Sequence, residues 1–369
     1  MPRTDLRHVV VGCGALGSAA AYWLSRALGA RVLVLERDAP GRGADEDHAR
    51  VLRYAQPRDA YAALAREAYA TWRDVERVSG QTLVAETGGL VIEDLAGRGA
   101  CGRVLGGHAA VADRHDVDFE LLDARAVQRR WPQFRLAGTE EAMYQRRTGI
   151  LDAARADATH LALARGHGAE VRAHSPVRAL RPTAGHVEVV LDDEVVRAEH
   201  VVVAAEAGTN AVLDGLVAPV PLTLHQEQVT SYATPHLLDF SPARFPVFTW
   251  HGAQIVHGFP VDGEVATKLG HEASTDARRR HEFLAAHVPG FLGPEIRTRT
   301  RLSTIPPDGH PVVDTLPGEP RVSVGVGAGH ASTFASLLGR VLAELATTGT
   351  SRRPIGSFAL DRPALAAAA

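Results

Sequence analysis

Apolar residues along this chain fall into short unbroken runs separated by amphipathic stretches. His8 to Val11 and Arg31 to Leu35 are apolar runs of the kind a strand shows when a parallel sheet is covered on both faces. The Ala-rich segment between them has the character of a helix. Ala49 to Tyr54 is expected as a short strand bearing Arg50 and Arg53. Ala60 to Val78 places Tyr61, Leu64, Ala68 and Trp72 on one side, which predicts an amphipathic helix. Strands outside the first layer are expected at Leu83 to Glu93 and Phe119 to Leu122, then a helix from Asp123 to Trp131 that starts at an aspartate cap. A helix follows over Asp152 to Arg165. From Val187 the pattern predicts a strand pair around a tight acidic turn, then a third apolar strand at His200 to Ala205. Residues 219–300 alternate as an antiparallel sheet does, with strands expected at 223–232, 253–258 and 264–271. Arg321 to Gly349 repeats the order of strand, glycine loop and helix.

The first loop carries chemistry. In VVVGCGALGSAAAYWLS, Gly12 permits a tight turn, Gly14 lets backbone approach a pyrophosphate, and Gly17 lets the helix pack closely on the strand. The helix start supplies unpaired N–H groups for phosphate oxygens. The next strand ends in Glu36, at the distance expected of a carboxylate that bonds a ribose. Glu36 would repel a 2′-phosphate. Strand, triplet, helix, strand and acid together predict a dinucleotide site, without choosing between NAD and FAD.

Composition narrows the class. The chain has 369 residues, 45% of them hydrophobic, which allows two domains with a substantial core. A formal charge of −3 and scattered arginines give no reason to expect a nucleic acid or membrane partner. Cys13 and Cys101 are too few for a disulfide framework. The nucleotide strand starts almost at once and no apolar run is long enough for a membrane span, so the expectation is a cytoplasmic protein. No metal set with ligand spacing is apparent. The buried-type strand at His200 to Ala205 implies a discontinuous first domain, drawn at 1–82, 140–215 and 300–369. Residues 83–139 and 216–299 then form a substrate domain.

In order and spacing, several segments together resemble the flavin-dependent amine oxidases of the sarcosine oxidase type, within the D-amino-acid oxidase-like group. They are the glycine-loop segment with LVLER, ARVLRYA, GILDAARADATHLALARGHGAEVRAHSPV, VVVAAEAG, HGFP with TKLGHE, PPDGHPVVDTLP, GVGAGHASTF with LAELATTG, and FALDRPAL. The resemblance spans nearly the whole chain. It implies an α/β fold (α+β overall): a Rossmann-type FAD-binding domain with an interleaved antiparallel-sheet substrate domain. The cofactor it implies is FAD. Gly12, Gly14, Ala15, Leu16, Gly17, Glu36 and Arg37 match pyrophosphate and adenosine contacts. Arg50 matches an arginine near the flavin, and Val177 a backbone contact to adenine. Gly327, Gly329, His330, Ala331 and Thr333 match the loop at the flavin ring. Arg53 matches the arginine that holds a substrate carboxylate, a role suited to a bidentate guanidinium; the plainer reading pairs it with Asp45 or Glu46. Lys268 matches the lysine that activates dioxygen.

The departures are as informative. Arg301 stands where the family has the cysteine that bonds flavin, so the FAD is expected to be non-covalent, with His48 the alternative tether. Thr333 replaces a carboxylate-binding lysine. His257 and Ser303 replace tyrosines, and Glu206 replaces a flavin-side glycine. The expected reaction is oxidation of an amine or amino-acid C–N bond to an imine and hydrogen peroxide, on a substrate other than sarcosine. His257 or His330 is the candidate for keeping the amine neutral. A flavin dehydrogenase, a 2-hydroxy-acid oxidase and a non-catalytic flavin-binding protein are the alternatives.

Overall fold

The computed structural model describes residues 7–40, 49–96, 104–272, 276–327, 329 and 331–366. Its first layer is a sheet ordered Ala179–Pro182, Val187–Val190, Val195–Val203, Arg7–Val11, Val32–Leu35 and Glu170–Arg172. The pairs made by Arg7–Val11 are parallel, as its unbroken apolar run requires. Val195–Val203 is one strand where the pattern predicted two. Its first half pairs antiparallel with Val187–Val190 and its second half parallel with Glu319–Val326. The polar residues Arg197 and Glu199 inside it imitate a break because that stretch lies near the sheet margin.

The helix Ala15–Leu28 covers this sheet, packed between the helices Ala153–Gly166 and Ala331–Thr348. Small residues bring these helices together. A Cβ added to Gly339 would stand 2.4 Å from the Cβ of Ala19, so the third helix packs almost backbone to backbone.

The second layer is an eight-stranded sheet ordered Glu295–Ile305, Thr223–Tyr232, Thr267–Glu272, Ile255–Phe259, Val247–His251, Gly89–Asp94, Glu140–Gln145 and Glu120–Asp123. It is antiparallel except where Val247–His251 runs parallel to Gly89–Asp94. One face buries Phe134, Phe240, Phe245, Phe248, Trp250 and Phe291. Side chains alternate along a strand, so Thr249, His257 and Lys268 occupy the other face.

Two expected domain limits fall differently. Glu295–Ile305 is one strand running across residue 300, and Glu140–Gln145 belongs to the second sheet through its pairing with Gly89–Asp94. A small third sheet, Ala49–Leu52 with Gly149–Asp152 and Val84–Glu86, carries Arg50, and Arg53 follows one residue past its first strand. None of the described helices is long and apolar enough to cross a membrane.

Candidate active site

The first glycine loop is shaped by contact. Gly12 has φ +91°, and a Cβ there would lie 2.4 Å from the Ala204 carbonyl oxygen. A Cβ on Gly17 would lie 2.1 Å from the Gly12 carbonyl oxygen. Gly14 has nothing within 4 Å of that position and precedes the helix with no side chain capping it. The loop is thus closed against the protein and open toward its helix start, where phosphate oxygens fit. Glu36 lies beside it: one carboxylate oxygen accepts the Cys13 N–H at 2.8 Å and the other the Asp38 N–H at 3.0 Å. Leu16 is buried in the core, whereas Arg37 is exposed and pairs with Asp38. Val177 is held nearby, since the Ser175 N–H bonds the Glu36 carbonyl at 2.8 Å. These residues fit an FAD adenosine diphosphate.

Arg50 acts on a residue that the sequence reading missed. Asp157, on the Ala153–Gly166 helix, is 2% exposed and lies 3.5 Å from the Ser18 hydroxyl. Burial pushes its carboxyl up to about 7, against the opposing charge of Arg50 and the Ser18 contact.

The second glycine loop is tied on both sides. The Gly327 N–H donates to Glu206 at 3.1 Å, and Arg301 donates to the Gly329 carbonyl at 3.2 Å. Thr333 serves the scaffold with its side chain: its hydroxyl donates to the Val51 carbonyl at 3.1 Å, and its own carbonyl accepts from the Trp72 indole at 2.8 Å. His330 and His48 lie outside the described residues, as do Asp45 and Glu46.

Glu206 has a left-handed backbone, with φ +46°. This left-handed conformation costs a non-glycine residue about 1–2 kcal/mol. Its carboxylate also accepts the Thr304 hydroxyl at 2.7 Å. Burial raises its pKa, opposed by the bonds from Thr304 and Gly327 and by the charge of Arg301. The latter also pairs with Glu227 at 3.4 Å.

Arg53 lines a narrow recess together with Gly89, Val91, His108, Met143, Gln145 and Thr249. Desolvation pushes its guanidinium down to about 10. It donates to the Thr249 hydroxyl, and among the described residues no carboxylate pairs with it. Thr249 in turn lies 3.1 Å from the His257 Nδ1. The structure therefore gathers Arg53, Thr249 and His257 at one point. Lys268 stands on the next strand, opposite Phe259, 6% exposed. Its ammonium is 3.3 Å from Glu264, which also binds Arg297 at 2.8 Å. A wider surface cleft lined by Tyr54, Arg66, Glu86 and Arg147 shares Gln145 with the recess but includes no residue of either glycine loop.

Thr249 was not foreseen because nothing in VFTWH distinguishes a site strand from any buried strand. Its role depends on a residue 196 positions away.

Comparison with known proteins agrees with this geometry. The family described as FAD dependent oxidoreductase matches residues 7–345. Monomeric sarcosine oxidase of Streptomyces avermitilis is 30% identical over 98% of each chain. N-methyl-L-tryptophan oxidase of Yersinia pestis is 28% identical, covering 97% of this chain and 99% of its own. Among solved structures, NikD, described as an unusual amino acid oxidase essential for nikkomycin biosynthesis, superposes with a TM-score of 0.81 at 26% identity, covering 95% of this chain and 96% of its own. Matched over residues 7–345 and 30% identical to a relative along nearly its whole length, this chain belongs to the FAD dependent oxidoreductase family.

Proposed function

We propose that the chain is an oxidase that removes two electrons across a C–N bond of a carboxylate-bearing amine, leaving an imine and hydrogen peroxide. The observation that carries this reading is Arg53: a desolvated guanidinium in a recess, bonded to one hydroxyl and paired with no acid among the described residues. A substrate carboxylate supplies the two acceptors that its fork lacks. The names of the relatives, oxidases of sarcosine, N-methyl-L-tryptophan and an amino acid, support it.

When bound, FAD supplies the two-electron acceptor and passes the electrons to dioxygen. Gly12, Gly14, Ala15, Leu16 and Gly17 hold its pyrophosphate, Glu36 and Arg37 its adenosine end with the Val177 backbone, and Gly327, Gly329 and Ala331 the flavin side. Arg50 lies beside that site, and Arg301, in place of a cysteine, leaves the cofactor non-covalent. Arg53 and Thr249 fix the substrate carboxylate. His257, bonded to the same Thr249, holds the amine end through a hydrogen bond. Lys268 places a positive charge where dioxygen gains electrons.

Because Lys268 is paired with Glu264, a dehydrogenase that passes electrons elsewhere is the second reading. Peroxide release over a panel of primary and N-methyl amino acids decides between them. Stoichiometric peroxide supports the oxidase, and aerobic turnover only with an added dye supports the dehydrogenase. Acid precipitation should leave free yellow FAD in the supernatant, and flavin retained on the pellet would refute the non-covalent assignment.

A further inference from the structure

Beside Arg53 lie two imidazoles for which the proposed chemistry has no use. His108, on the helix Val104–Arg114, lines the same recess as Arg53 and Thr249 and is 4% exposed. His251 lies two residues beyond Thr249 on the same face of the Val247–His251 strand, about 7 Å along it. The buried Nδ1 of His108 and both buried ring nitrogens of His251 have no hydrogen-bond partner. Such orphans, one on His108 in the recess and two on His251 a step along the strand from Thr249, are costly unless a ligand satisfies them.

We propose that His108 and His251 form a second subsite that reads an uncharged hydrogen-bonding group, a carboxamide or hydroxyl, on the substrate beyond its carboxylate. This rests on Arg53 as the carboxylate anchor and names the class of substrate. Two observations make the group neutral. Burial first, and then the charge of Arg53, pushes both histidines down to about 4, so at pH 7 each ring offers one donor and one acceptor. Glu93, paired in register with His251, is 8% exposed and accepts the Leu105 N–H at 3.2 Å. Its charge repels a second anion. An amide, with both a donor and an acceptor, matches the two imidazoles.

Three probes of the same shape test this on the FAD-loaded enzyme by calorimetry: succinamate, succinate and 4-methylpentanoate. Succinamate should bind at least tenfold more tightly than either of the others. His108→Leu and His251→Leu should each flatten that ratio while 4-methylpentanoate still binds. Equal affinities, tighter binding of succinate or 4-methylpentanoate, or a ratio that survives both substitutions would overturn the subsite alone. If no probe binds, or Arg53→Met binds all three as the wild type does, the carboxylate anchor falls and the subsite with it.

Discussion

Replacing Arg53 with Met should make the empty protein more stable and the site unable to hold an acid. The guanidinium is pushed down to about 10 by desolvation, more than two pH units below its ordinary value. At about 1.4 kcal/mol per unit, the charged form costs the fold roughly 3 kcal/mol. Arg53 retains some accessible surface within the recess, so solvent screening reduces this to about 1–2 kcal/mol. The lost bond to Thr249 returns about 1 kcal/mol in the other direction. The net expectation is a variant as stable as the wild type or up to about 1 kcal/mol more stable. Binding of a carboxylate ligand should weaken by about two orders of magnitude, since a charge-assisted pair of hydrogen bonds is worth about 3 kcal/mol or more. Urea unfolding of the FAD-loaded protein measures the first quantity, and calorimetric titration with 4-methylpentanoate measures the second. A loss of more than about 2 kcal/mol in stability with unchanged ligand affinity would show that Arg53 is an internal strut, and the reasoning would fail.

Three further outcomes are expected. Lys268→Met should slow the oxygen half-reaction by about two orders of magnitude, the scale of one preorganised charge, while anaerobic reduction by substrate changes little; stopped-flow separates the two, and equal slowing of both would deny Lys268 a role with oxygen. Glu206→Gly should be more stable than Glu206→Ala by about 1 kcal/mol, because only glycine adopts φ +46° freely; equal melting temperatures would mean that the backbone relaxes. Asp157 has a folded pKa raised to about 7, so the stability linked to its protonated form is present below the ordinary carboxyl range and lost as pH rises through 7. Asp157→Asn should therefore gain on the wild type between pH 5 and 8 in urea titrations, and a constant difference across that range would count against a buried neutral acid.

Local rules in the sequence foresaw much of the fold. Asp123 caps its helix as expected, and Asp152 caps the next long one, each accepting from the backbone N–H three residues on. The strand at 223–232 appears with those limits. The glycine triplet was legible because Gly12 and Gly17 leave no room for a Cβ and Gly14 leaves the helix start open. What escaped is non-local. Val247–His251 has the apolar content of a core strand, and only its alternation puts Thr249 and His251 opposite Phe248 and Trp250. The single strand Val195–Val203 was divided because its two partners on one edge come from distant parts of the chain. Asp157 and His108 sit in helices where a buried titratable residue looks like any polar one, and no periodicity reveals which of them meets an arginine.

The Thr333 hydroxyl, bonded to the Val51 carbonyl, joins the start of the last long helix to the strand between Arg50 and Arg53. Trp72 fastens the same residue to the helix that follows that strand. Occupancy of the nucleotide cleft and posture of the acid-binding strand are therefore states of one body. Thermodynamic linkage makes such an effect mutual: a carboxylate should tighten the binding of FAD by as much free energy as FAD adds to the affinity for the carboxylate. Thr333→Val, which cuts the tie, should leave both ligands able to bind but indifferent to one another.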